Sequence, residues 1–98
     1  MNPGIKALCK RYPDWSLVDG HLVRTWTFAE AAEAVELVLR IVAQSMTQDH
    51  HPEMTWNHRV VSVRLTTHEG DGPGPRDICW VETLEADDDQ AKTRASKA

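Results

Sequence analysis

Asp49-His50-His51-Pro52-Glu53 and, further along, Thr66-Thr67-His68 place three of the chain's five histidines at the exit of one expected helix and the end of one expected strand. Imidazole titrates closer to neutral pH than any other side chain, so a group of them can take a proton from one atom and deliver one to another. Such a set suits loss of water from a heterocycle: one histidine is the base, another protonates the departing hydroxyl, and an aromatic wall stacks on the planar ring. Two other readings fit the same residues. His50, His51 and His68 could be three neutral ligands of a metal ion, although adjacent histidines usually diverge and no cysteine or paired carboxylate nearby completes a set. They could also be structural, with His50 and His51 against the negative end of a helix dipole and His68 closing a strand on its polar side.

Whichever holds, the elements on either side must position them. Pro3 to Arg11 carries Ile5, Leu8 and Cys9 at helical spacing, and Tyr12-Pro13-Asp14 breaks that helix because proline restricts the residue before it. Trp15–Val18 and His21–Trp26 read as strands joined at Asp19-Gly20, a turn whose central positions both need positive φ. Thr27-Phe28-Ala29-Glu30 matches a capping box, and a long helix is expected from about Phe28 to Thr47. Its predicted core stripe is Ala31, Ala34, Val35, Val38, Ile41, Val42 and Ser45, with Glu30, Glu33, Glu36, Arg40 and Gln44 opposite; Leu37 and Leu39 widen the apolar surface toward a second subunit.

Beyond the histidine pair, Met54–Asn57 and Val60–Thr67 read as two more strands, and in the second Val61, Val63 and Leu65 share one face while Ser62, Arg64, Thr66 and His68 share the other. A loop rich in glycine and proline follows, then a helix opened by Pro75 with Ile78, Val81 and Leu84 inward. From Asp87 the chain has no apolar periodicity, so residues 1–86 form the expected domain and 87–98 a disordered polar tail. The order describes an α+β domain with a four-stranded antiparallel sheet and helices packed on one face, the other face being left for a site.

Composition narrows the partners. With 98 residues, 41% hydrophobic and a net charge of -4, the chain is one ordinary domain without the basic footprint that nucleic acid or an anionic membrane requires. A domain of this size often gains stability by self-association. Cys9 and Cys79 lack zinc or redox spacing, and no leader or membrane-length apolar run is visible, so the expected setting is reducing and cytoplasmic. Both thiols are expected to be buried, and Trp26, Trp56 and Trp80 are expected in the core or at a subunit interface.

Trp15 opening the first strand, Arg24-Thr25-Trp26-Thr27-Phe28, His50-His51-Pro52, the strand Val61 to Leu65 running on to Thr66-Thr67-His68, and Asp77 at the start of the last helix together resemble the pterin-4a-carbinolamine dehydratase family. The resemblance spans roughly Trp15 to Leu84. It implies conversion of 4a-hydroxytetrahydropterin to quinonoid dihydropterin, with His50, His51 and His68 binding the pterin and moving its protons, and Trp15, Pro52 and Asp77 bordering it. It further implies a homodimer or homotetramer and no metal or organic cofactor. The chain departs from the family pattern at Met46, where an acidic residue precedes the first histidine by four positions, and at His58, where an aromatic residue stands. Since the family also includes protein-binding members, among them RuBisCO assembly factors, a non-catalytic binding protein on the same fold is the alternative.

Overall fold

The computed structural model describes residues 3–66 and 72–96, with backbone alone from 88 onward. Helix α1 covers Pro3–Arg11, strands β1 and β2 cover Ser16–Val18 and His21–Thr27, and helix α2 covers Ala31–Gln48. Strands β3 and β4 follow at Glu53–Asn57 and Val60–Leu65, and helix α3 runs Pro75–Ser96. The four strands form one antiparallel sheet in the order β1-β2-β4-β3, as the α+β reading requires.

The hairpin forms for the reason read from sequence. Asp19 and Gly20 take φ of 49° and 79°, so the turn needs no longer loop and fixes Val18 opposite His21. The pairing then sorts side chains by alternation: Leu22 lies opposite Leu65 and Trp26 opposite Val61, all facing the helices. They bury against Ile5 and Leu8 of α1, Ala34, Leu37 and Ile41 of α2, and Trp80, Val81 and Leu84 of α3. Trp15 lies within this core at 1% exposure, its ring edge-on to Trp26 with centroids 5.9 Å apart. Glu85 accepts a hydrogen bond from Trp15 Nε1 at 2.7 Å and pairs with Arg24, whose guanidinium also lies 4.5 Å from the Trp26 ring centroid. This polar knot ties α3 to β2 on the helix side of the sheet.

Five expectations are corrected. The capping box exists but lies three residues later: Glu30 caps α2, and its N–H donates to Glu33 Oε1 at 3.1 Å. Thr27 cannot cap because it still belongs to β2, and Phe28 N–H is bonded to the Arg59 carbonyl at 2.9 Å. The buried face of α2 is rotated from the expected one. Leu37 and Gln44 are buried, Gln44 Nε2 donating to the Trp80 carbonyl at 2.7 Å, whereas Val35, Leu39, Val42 and Met46 are exposed. Cys79 is exposed and Cys9 half-buried, and burial pushes the Cys9 thiol pKa up. Trp56 is exposed on edge strand β3, while Trp26 and Trp80 are core residues. Finally, the backbone from Asp87 to Ser96 continues α3 where a disordered tail is expected, since neither glycine nor proline interrupts it after Pro75.

Candidate active site

The two adjacent histidines leave α2 through Asp49, a left-handed residue (φ 49°, ψ 46°) that ends the helix. Its N–H bonds the Met46 carbonyl at 3.4 Å and that of His50 bonds the Ser45 carbonyl at 3.1 Å, closing the last turn. Arg76 of α3 braces the same turn, donating from Nη2 to the Asp49 carbonyl at 2.6 Å. The sequence reading did not single out Arg76, and only its position one residue before Asp77 hints at it.

From this exit the rings part company. His50 turns toward α3, its side chain 11% exposed, with Nε2 2.6 Å from Oδ1 of the fully buried Asp77. Asp77 accepts a second bond from Gly74 N–H at 2.8 Å, so the carboxyl that orients His50 also ties down the start of α3. Gln48, His50, Arg76 and Cys79 line a shallow depression on that side.

His51 instead is 58% exposed in its side chain, with Nε2 3.5 Å from Asp49 Oδ1. It stands with Pro52 on a ridge between two depressions. One, of about 160 Å³, is mostly apolar and includes Ile41, Val42, Met46 and Met54. The other, of about 420 Å³, lies on the helix-free sheet face and is lined by His21, His51, Pro52, Glu53, Arg64 and Thr66. At 70% exposure Met46 offers His51 no charge or hydrogen bond, so the nearest described carboxylate is that of Asp49.

Of the residues named from sequence, His51 and Pro52 share a depression, and His50 and Asp77 share a hydrogen bond behind them. Trp15 joins neither group, because its indole fills the core and its N–H is taken by Glu85. His68 lies outside the described residues. His21 and Arg64, which line the same depression as His51, are not singled out by the sequence reading. Their signal was the hairpin register: with Leu22 and Leu65 inward, residues 21, 64 and 66 must face outward together.

An α+β domain with three helices on one sheet face and an imidazole-lined depression on the other is the class of protein this arrangement defines. The chain belongs to the pterin 4 alpha carbinolamine dehydratase family, whose model matches residues 2–86. A Picosynechococcus protein is 34% identical over 81 residues, covering 83% of this chain and 88% of its own. A Nitrobacter winogradskyi protein is 38% identical over 76 residues, covering 76% and 75%. Both carry pterin-4-alpha-carbinolamine dehydratase as a provisional name. The crystal structure of a transcriptional coactivator/pterin dehydratase from Brucella melitensis shares the fold, with a TM-score of 0.78 over 88% of this chain and 94% of that one at 24% identity.

Proposed function

We propose that this chain dehydrates a 4a-hydroxytetrahydropterin to quinonoid dihydropterin, with His51 working from the sheet-face depression. The exposed His51 beside a depression of about 420 Å³ is the observation that supports it, since ligand sites of this kind run from about 300 Å³ upward. In the reaction the C4a–O bond breaks, the hydroxyl leaves as water once protonated, and the N5 proton passes to a base as the C4a–N5 double bond forms. His51 is one proton carrier and His68 the other in this reading. His50, held by Asp77, is a positioning residue that fixes the turn from which His51 projects. Pro52 borders the pterin. No cofactor enters the scheme.

The test is the rate of 4a-hydroxytetrahydropterin dehydration, followed by absorbance with the purified chain. A rate clearly above the uncatalysed one supports the reading; a rate equal to background refutes it.

A second reading draws on the exposed stripe Val35, Leu39, Val42 and Met46, spaced by four, three and four residues along α2. This is the spacing of a helix–helix seam, so the stripe suits a second copy of the chain in a homodimer or homotetramer. Met46 extends the seam to the edge of the depression beside His51, which would also suit a protein-binding role in place of catalysis. Sedimentation velocity distinguishes the outcomes for self-association: the wild type sediments as an oligomer and Leu39→Glu as a monomer, whereas a monomeric wild type removes the second copy.

A further inference from the structure

The sheet-face depression holds a basic pair that the dehydration step does not use. We propose that His21 and Arg64 form an oxyanion subsite for a phosphate or carboxylate carried on the side chain of the pterin, an inference that rests on the pterin reading above.

Strand register brings the two together. Leu22 and Leu65 are opposite one another and buried, so His21 and Arg64, each one residue to the side, both project from the helix-free face. Arg64 Nη2 lies 3.3 Å from His21 Nδ1, and that same nitrogen lies 3.0 Å from the Asp19 carbonyl oxygen. Nδ1 cannot donate to Asp19 and accept from Arg64 at the same time. When it donates to the carbonyl, the Arg64 N–H has lost its acceptor, and the donors of the two side chains border one space.

The plainer role for Arg64 is a cross-strand ion pair with Glu53, which is its register partner on β3. The geometry is poor for that. Arg64 Nε stands 4.0 Å from Glu53 Oε2, beyond hydrogen-bond length, and the two side chains are 46% and 74% exposed. Among the described residues, then, the counter-charge the guanidinium meets is a loose, solvent-exposed one: Glu53 lines the same depression but makes no hydrogen bond to it, which leaves the guanidinium donors at the wall open to a ligand. A planar fork of donors in that state matches the paired oxygens of a phosphate or carboxylate. His51 and Pro52 line the same depression, so a ring seated against them can extend its substituent toward Arg64 and His21. Thr66 closes that end, its hydroxyl donating to the Gly20 carbonyl at 3.3 Å.

The experiment is a fluorescence titration of the full chain with neopterin, neopterin 3′-monophosphate and 6-carboxypterin. The expected result is about tenfold tighter binding of a charged pterin than of neopterin, the scale of one charge-assisted hydrogen bond partly screened by solvent. Whichever of the phosphate and carboxylate probes is preferred identifies the source of the oxyanion. Arg64→Gln should abolish the preference and Glu53→Gln should enlarge it. Equal affinity for all three pterins in the wild type, or a preference that survives Arg64→Gln, overturns the subsite and leaves the pterin reading standing. Binding of none of them overturns both. The wild-type comparison needs no variant, so a folding defect cannot decide the outcome.

Discussion

His50 and His51 are neighbours in sequence, and their replacement by alanine should have opposite consequences. His50→Ala removes a ring that is 11% exposed and takes the Nε2 contact from Asp77, which has no solvent exposure. Asp77 keeps its bond from Gly74 N–H, so the cost is that of one buried polar group losing one partner, about 2 kcal/mol. For a domain of this size that lowers Tm by about 8–16 °C. His51→Ala removes a side chain that is 58% exposed and should alter stability by no more than about 0.5 kcal/mol. Loss of a general acid or base instead costs about 10²- to 10⁴-fold in rate, and His51→Ala should fall in that range. Urea denaturation followed by circular dichroism gives the first quantity; pterin dehydration measured per folded molecule gives the second. The reasoning fails if His51→Ala retains the full catalysed rate, or if His50→Ala is as stable as wild type yet equally inactive.

Other outcomes follow from the same geometry. Glu85→Ala strands the Arg24 guanidinium and Trp15 N–H on the helix side of the sheet, and should cost about 3 kcal/mol in urea denaturation. Asp14, 3.5 Å from Arg24, recovers only part of that pairing because its own side chain is 73% exposed. The double variant Arg24→Met/Glu85→Leu removes both charges but still leaves the Trp15 N–H without its acceptor, so it should lose about 1–2 kcal/mol, less than Glu85→Ala; a double variant no more stable than the single one refutes the pairing. With a thiol reagent Cys79 should be labelled well before Cys9, because Cys9 is half-buried with a raised pKa and holds less thiolate at any given pH. Equal labelling rates in the native protein, measured by mass spectrometry, argue against that burial.

Local chemistry made some of the fold legible in the sequence. Asp19-Gly20 announces its turn because two positive φ angles admit few residue types, and Val61, Val63 and Leu65 show their inward face by alternation alone. The face of α2 was harder, since Val35 and Val42 look more apolar than Gln44. Gln44 is nonetheless buried because the Trp80 carbonyl accepts from it, a partner more than thirty positions away that no local pattern reveals. The same limit applies to the site. The histidine pair marks the place, but which ring faces solvent depends on Asp77 and Arg76 reaching back from α3 to the α2 exit. Trp15, which the family resemblance set at the border of the site, is a core residue: its N–H finds Glu85 and its ring fills the interior, and neither contact is visible in the local sequence.

The left-handed torsion at Asp49 couples the two imidazoles mechanically. Because both side chains leave the helix through that one residue, a change in its torsion would re-aim both: it would unseat His50 from Asp77 and swing His51 off its ridge. A β-branched residue at position 49, which tolerates this torsion poorly, would act on both rings at once from a site that touches neither depression. The backbone thus behaves as a single hinge pin for the pair, and changes there should move stability and activity together, whereas changes to either ring separate them.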